Sequence, residues 1–184
     1  MTFLTRTSTY GFLNRRVGEA REARQFPRTG QTTSYRTGDD ANIPAGNPLS
    51  AALRFQTIRG VIVYDRLTGL YWPADYATSP GSPFDAAVDW EEAIDQCLAL
   101  DFGGFDDWRL PNILELASIV DFESPPAFSA ITVNTAGNPV HWTSTTYGIA
   151  TTLAYSLNMG SGLVGLKTKT AVEDEWVIPV RGGI

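Results

Sequence analysis

The final third of the chain contains four short segments with the composition of β-strands. Each is rich in β-branched or aromatic residues, and glycine, asparagine or aspartate separates one from the next: VHWTSTTY, TLAYSLNM, GLVGLKT and EWVIPVRG. Short strands joined by turn residues are typical of antiparallel sheets. We therefore expect the end of the chain to form a small antiparallel sheet, on which the preceding elements must pack.

Two short helices are predicted ahead of these strands, each with its own capping residue. In DWEEAIDQCLALD, Asp89 is the N-cap candidate and Glu92 follows three residues later. Asn112 and Glu115 repeat this spacing in PNILELASIV, a pattern typical of a capping box. Apolar residues recur at helical spacing behind each cap and are expected to be buried: Trp90, Ala93, Ile94, Cys97 and Leu98, then Ile113, Leu114, Ala117 and Val120.

A β-hairpin is predicted before the helices. Residues 61–64, VIVY, are β-branched and aromatic, residues 65–69, DRLTG, favour a turn, and residues 70–72, LYW, form the return strand. A hairpin, two helices and a terminal sheet in this order indicate an α+β domain.

The stretch FDDWRLPNILEL combines charged residues, a tryptophan and a proline ahead of the second helix. We expect Trp108 to enter the core. We expect Arg109 to lie near acidic groups such as Asp106, Asp107 or Glu115, because a guanidinium offers five donors in a fixed fork. The alternative is a ligand site near Arg109. Structural roles are assigned to Trp108, Arg109, Asn112, Glu115 and Trp142.

Charge divides the chain into two parts. Residues 1–28 hold six arginines against two glutamates (+4), whereas the remainder holds 8 basic and 18 acidic residues (−10). An acidic body does not favour nucleic acid, which requires basic surface. We expect residues 1–26 to form an arm that anchors to other protein chains, and residues 27–184 to form the domain.

Apolar runs in the chain are short. None approaches the roughly 18 residues of a membrane-spanning helix, so no membrane insertion is expected. The first 16 residues also lack the continuous apolar run of a secretory signal.

Reactive residues are scarce. Cys97 and His141 are the single cysteine and the single histidine, which disfavours a disulfide, a zinc site and a catalytic triad. Cys97 also lies on the predicted buried face of the first helix. We therefore predict no catalytic residue and no enzymatic activity.

Two pairs of adjacent aspartates, Asp39-Asp40 and Asp106-Asp107, carry hard oxygen ligands. Calcium prefers such ligands, but neither pair belongs to an EF-hand loop. We expect no cofactor, with a structural calcium as the open alternative.

Several motifs together resemble one family: RTGQTTSY, DRLTGLYW, WEEAIDQCLAL, GGFDDWRLPNILEL, HWTSTT and WVIPVRG. In this order they are similar to the Lcl C-terminal domain, also called DUF1566, over roughly residues 27–184. The resemblance implies a C-type-lectin-like fold that displays ligand-binding loops at cell or particle surfaces. It implies no chemistry.

The loops offer four ligand-binding candidates: Tyr76, Phe84, Tyr147 and Asn158. Aromatic rings beside small polar groups suit sugar or protein recognition, because rigid rings give contact area at low entropic cost.

Three functions follow from these observations. The first is a structural and binding protein of a phage-like particle, which attaches to a receptor or glycan on the host. The second is a glycan-binding adhesion module, at the bacterial surface or secreted. The third, an enzyme of the formylglycine-generating type, is disfavoured because Cys97 has no second cysteine.

Overall fold

Short helices and strands form the part of the chain that the computed structural model describes, namely residues 26–47, 50–75, 84, 86–123, 131 and 140–183. The helices are α1 (Ala51–Arg54), α2 (Trp90–Leu98) and α3 (Ile113–Ala117). The strands are β1 (Phe55–Ile58), β2 (Ile62–Asp65), β3 (Tyr71–Pro73), β4 (Val140–Thr146), β5 (Leu153–Asn158), β6 (Leu163–Thr168) and β7 (Glu175–Trp176). This mixture confirms the α+β class.

The first sheet has the order β1-β2-β3, with both pairs antiparallel. Strands β2 and β3 confirm the predicted hairpin. Strand β1 was not predicted, and Arg59 in the turn after it has a φ of 53°. A positive φ is uncommon for a residue other than glycine, so Arg59 gave no sign of this turn, although Gly60 beside it also has a positive φ of 75°.

The second sheet has the order β6-β5-β4-β7. Strands β4, β5 and β6 pair antiparallel as expected, but β7 pairs parallel with β4, so that Val140 lies opposite Glu175. The expectation of purely antiparallel pairing was wrong for this last segment. After β6 the chain crosses to the opposite edge of the sheet. There β7 lies beside β4 and runs in the same direction as β4.

The C-terminal segment joins the two sheets. Beyond β7, the Val180 N–H donates to the Arg109 carbonyl over 2.9 Å, and the Tyr71 N–H donates to the Arg181 carbonyl over 3.0 Å. One extended segment thus contacts the first sheet and the loop ahead of α3.

Three tryptophans fill the core between the sheets and the helices. Trp72, Trp108 and Trp142 are at most 1% exposed. Indole N–H groups also tie loops to this core, because Trp142 donates to the Val88 carbonyl over 2.8 Å and Trp108 donates to the Phe105 carbonyl over 3.1 Å. The structure thus places Trp108 and Trp142 in the core.

Helices α2 and α3 begin at the predicted N-caps. The Asp89 side chain accepts from the Glu92 N–H over 2.9 Å, and Asn112 forms a full capping box with Glu115. Along the described ranges, no helix is both long and apolar enough to cross a membrane.

The predicted buried faces need two corrections. Leu98 is 62% exposed at the end of α2, and Leu114 is 78% exposed on α3, where Leu116 is fully buried instead. Because α3 has only five residues, its apolar spacing does not determine which face meets the core.

Two sequence-based predictions fall outside the described residues. One is Tyr76 as a ligand-binding residue, and the other is the anchoring arm, of which only Phe26 is described.

Candidate functional site

An open cleft of about 350 Å³ lies between the loop of residues 28–47 and the start of α1. Its hydroxyl and amide groups belong to Thr29, Gln31, Thr32, Asn47 and Ser50. Its charged groups belong to Arg28, Asp40, Arg54 and Asp121. We call this the polar cleft.

One aspartate organises the loop that forms the outer wall of the polar cleft. Asp39 accepts from the Tyr35 N–H over 2.6 Å and the Asn42 N–H over 3.0 Å, and also from the Ser34 hydroxyl over 3.0 Å. The bond from the Tyr35 N–H is the main cause of the lowered pKa of Asp39. The loop is therefore folded around an ionised carboxylate.

The same loop is fastened to the segment that follows α3. Glu123 accepts from the Thr33 N–H over 3.1 Å and the Thr33 hydroxyl over 2.5 Å, and the Phe122 N–H donates to the Thr29 carbonyl over 2.8 Å. The Thr33 hydroxyl is the main cause of the lowered pKa of Glu123. These bonds fix the position of the wall relative to the domain.

Gly30 allows the wall to approach the domain closely. Its φ is 92°, and a Cβ atom at this position would collide with the Asp121 carboxylate. Only glycine fits both the backbone conformation and the space.

The base of the polar cleft contains a buried ion pair that sequence reasoning missed. Arg54 is 3% exposed and Asp65 is fully buried. Arg54 donates through Nε to Asp65 Oδ1 over 2.9 Å and through Nη2 to Asp65 Oδ2 over 2.6 Å. A further bond from Arg54 reaches the Ser118 carbonyl over 2.8 Å, so the pair joins β2 to the end of α3.

Asp65 also shapes the turn between β2 and β3. Its carboxylate accepts from the Leu67 N–H over 2.9 Å and the Thr68 hydroxyl over 2.7 Å. The sequence DRLTG indicated this turn, because an aspartate followed by a hydroxyl residue and a glycine is typical of turns. Its partner Arg54 lies 11 positions away, and no local pattern indicated it.

Two of the four aspartates considered for calcium, Asp39 and Asp107, are engaged with donors. Asp39 is bound by loop N–H groups, as described above. Asp107 pairs with Arg181. In the portions of the chain described here, no group of three or more His, Cys, Asp or Glu side chains is arranged to hold a metal ion.

Arg181 links three of the sequence motifs. It donates to both carboxylate oxygens of Asp107 over 2.5 and 3.0 Å, and its guanidinium carbon lies 4.7 Å from the Tyr71 ring centroid and 3.8 Å from that of Phe105. The bond to Arg181 is also the main cause of the lowered pKa of Asp107. The segments LTGLYW, FDDWR and VRG thus meet at one scaffold contact.

Arg109 and Glu115 form a second contact of this kind. Arg109 donates to both Glu115 oxygens over 2.8 and 2.6 Å and to the Gly182 carbonyl over 2.9 Å. Burial alone would raise the pKa of Glu115, but bonds from Arg109 and the Asn112 N–H outweigh it and lower the pKa overall. Arg109 therefore fixes α3 and the C-terminal segment, and a ligand is not required to explain it.

The Glu115→Gln variant is expected to lose about 1.5–3 kcal/mol of unfolding free energy at neutral pH, the usual range for hydrogen bonds to charged groups. A lowered folded-state pKa stabilises the protein above the unfolded pKa, and this contribution disappears as the pH falls through the folded-state value. Urea titrations at several pH values should show the gap between parent and variant closing below about pH 4. A gap that stays constant with pH would contradict the assignment.

Two of the predicted ligand-binding residues, Tyr147 and Asn158, do not come together as one site. Tyr147 and Asn158 lie near opposite ends of β5, because the Tyr147 N–H bonds the Leu153 carbonyl at its start and Asn158 ends it. At about 3.3 Å per residue, that separates them by roughly 17 Å.

Two of these candidates are corrected by their burial. Phe84 is 2% exposed and belongs to the core cluster, while Asn158 is 7% exposed and its Oδ1 accepts from the Ser161 N–H over 2.9 Å. Tyr147 is half-buried and packs edge-on against Tyr155, with ring centroids 5.8 Å apart. Aromatic and polar residues in predicted loops can pack inside a domain as well as bind a ligand, so residue type alone did not separate the two roles for these three residues.

The two residues with the most reactive side chains lie inside the domain. Cys97 is fully buried, and burial raises the pKa of its thiol. Burial also lowers the pKa of His141 to about 3, against the opposing effect of a hydrogen bond with the Leu157 backbone. At neutral pH both side chains are therefore uncharged and shielded from solvent.

Fold and geometry together define an α+β domain with a rigid motif scaffold and a polar surface cleft. The model of the Lcl C-terminal domain family matches residues 61–181, and the chain belongs to this family. The match includes the scaffold contacts of Arg109 and Arg181, whereas the wall of the polar cleft lies ahead of it. No curated protein matches the chain in a sequence comparison.

Proposed function

We propose that this protein is a non-catalytic binding domain with a C-type-lectin-like fold, and that it holds a hydroxyl-rich ligand, such as a sugar, in the polar cleft. The observation that carries this proposal is the wall of the cleft, which the Asp39 and Glu123 hydrogen bonds hold in place. Loops held on a rigid scaffold commonly carry binding sites, and a preformed site avoids the entropic cost of ordering on binding.

The lining of the polar cleft favours a neutral ligand with many hydroxyl groups. Gln31 and Thr32 supply groups that both donate and accept. The lining holds two arginines and two aspartates, Arg28, Arg54, Asp40 and Asp121. Opposite charges are therefore equal in number and favour neither an anion nor a cation. Its volume of about 350 Å³ lies within the usual range for small-molecule sites.

The proposal of a non-catalytic role is supported by the state of the reactive groups. Cys97 and His141 are fully buried, and the carboxylates of Asp39, Asp107 and Glu115 are hydrogen-bonded within the domain. Catalysis by these groups would require them to reach a substrate in the correct protonation state.

Arg28→Ala is expected to weaken sugar binding at least about tenfold, which corresponds to the loss of one charge-assisted hydrogen bond. The parent protein is first applied to an array of mono- and disaccharides, and the strongest sugar is then titrated into parent and variants by calorimetry. Arg36→Ala is the matched control, because it removes the same charge from the same loop outside the lining of the cleft.

Equal losses for Arg28→Ala and Arg36→Ala would place the ligand elsewhere. An array with no bound sugar would contradict the ligand class. Cys97→Ala should bind as the parent does, whereas loss of function in a folded Cys97→Ala protein would favour an enzyme.

For the wider setting of this domain, we favour a phage-like particle, with residues 1–26 docked on other chains of the assembly. Support comes from the charges, since the basic first 28 residues precede a body of net charge −10. Cofractionation of the chain with purified particles is the expected result. Its recovery on the bacterial surface or in the medium, without particles, would favour the adhesion module instead.

A further inference from the structure

Strand β6 forms an exposed edge of the second sheet. Within the described part of the chain it pairs with β5 only, and it is the last strand on that side of the sheet. Leu163, Val164 and Leu166 are 70%, 51% and 40% exposed, so apolar side chains meet solvent on both faces of the strand. Proteins usually protect an edge of this kind with proline, bulges or charge.

The backbone of β6 offers its unused groups at regular positions. Lys169 N–H donates to the Thr152 carbonyl over 2.9 Å, and in an antiparallel ladder hydrogen-bonded positions alternate. Residues 163, 165 and 167 therefore bond β5, while Val164 and Leu166 direct their N–H and C=O groups outward. Among the described residues, these outward groups of Val164 and Leu166 have no hydrogen-bond partner.

Lys167, the one charged residue of β6, does not protect the edge. Its ammonium lies 2.9 Å from Asp174 and 2.7 Å from Glu175, and the bond to Glu175 is the main cause of its raised pKa. The charge is therefore compensated within the same subunit and does not repel an approaching strand.

We propose that β6 pairs antiparallel with β6 of a second copy of this chain, across a twofold axis at Leu166. In this register Leu166 exchanges two hydrogen bonds with its own copy, and Val164 lies opposite Thr168. Gly165 lies opposite Lys167, so the longest side chain faces the residue without one and the two lysines are not opposed. This self-complementarity is what favours a second copy over a different protein as the occupant.

Disulfide trapping tests the register. The two copies of Leu166 form a hydrogen-bonded pair with Cα atoms about 5.5 Å apart, which suits a disulfide. Under mild oxidation Leu166→Cys should run mostly as a covalent dimer of twice 20.1 kDa. Native Cys97 is buried and does not compete.

Val164→Cys is the matched control. Its copies would lie four residues apart along the paired strand, roughly 13 Å, which is too far for a disulfide. Crosslinking of both variants, or of neither, would overturn the proposal.

The oligomeric state of the unmodified protein is measured by sedimentation at the concentration of the crosslinking assay. This measurement does not depend on whether either cysteine variant folds. A dimer is expected, and a monomer would overturn the proposal. Sugar binding in the polar cleft is measured separately, so failure of the dimer leaves that test intact.

Discussion

Replacement of Asp65 by alanine is expected to lower the free energy of unfolding by about 3–5 kcal/mol, the usual cost of removing one partner from a buried ion pair. Arg54 is 3% exposed and would keep its charge in the core after losing both bonds to the Asp65 carboxylate, while its bond to the Ser118 carbonyl remains. The turn would also lose the acceptor for the Leu67 N–H and the Thr68 hydroxyl. Urea unfolding followed by circular dichroism gives the free energy and shows whether the slope of the transition stays constant.

Asp107→Ala is the matched control for Asp65→Ala. Asp107 also binds an arginine through both oxygens, but its side chain is 55% exposed. Exposed pairs contribute less than about 1 kcal/mol. Equal losses in the two variants would contradict the role given to burial.

A double variant, Arg54→Met with Asp65→Ala, separates the pair from its surroundings. Each single substitution leaves one charge of the pair buried, whereas the double variant removes both charges. The double variant should therefore be less destabilised than the sum of the two single variants. Simple additivity would show that Arg54 and Asp65 act independently.

Local features of the fold could be predicted from the sequence. The cap of α3 depends on Asn112 and Glu115, which lie within one turn, and the β2–β3 hairpin depends on five turn residues between two apolar segments. Such interactions join residues close in the chain, and residue type and spacing are enough to indicate them.

Features that depend on distant contacts could not be predicted in the same way. Arg54 meets Asp65 and Ser118 from different elements, the parallel pairing of β7 depends on where the chain returns, and the loop around Asp39 showed only turn residues. Asp39 illustrates the limit, since no residue near it in the sequence indicated the backbone N–H groups that donate to its carboxylate.

Of the motifs that carry the family resemblance, RTGQTTSY lies in the wall of the polar cleft, whereas those that contain Arg109 and Arg181 build the scaffold. Arg109 and Arg181 bind Glu115 and Asp107 and hold the C-terminal segment in place. The polar cleft, in contrast, is walled by residues 28–47, outside the matched range of 61–181. Membership of the family therefore defines the architecture, while the ligand must be inferred from this chain's own loop.

Trp108→Ala is expected to cost about 3–5 kcal/mol, the usual range for emptying a large aromatic site in a core. Trp108 is 1% exposed and packs edge-on against Phe102, with ring centroids 6.1 Å apart. Its indole N–H donates to the Phe102 and Phe105 carbonyls over 3.2 and 3.1 Å, which close a tight turn at Gly103 and Gly104. The substitution therefore removes both packing and the hydrogen bonds that hold this turn.

Trp108→Phe separates these two contributions. Phenylalanine keeps most of the apolar contact but has no N–H, so we expect a smaller loss of about 1–2 kcal/mol. Thermal and urea unfolding of both variants, with Leu98→Ala as an exposed control at 62% exposure, provide the comparison. If Trp108→Ala melts within a degree or two of the parent, Trp108 is not a core residue, and the ligand-site alternative for FDDWRLPNILEL regains support.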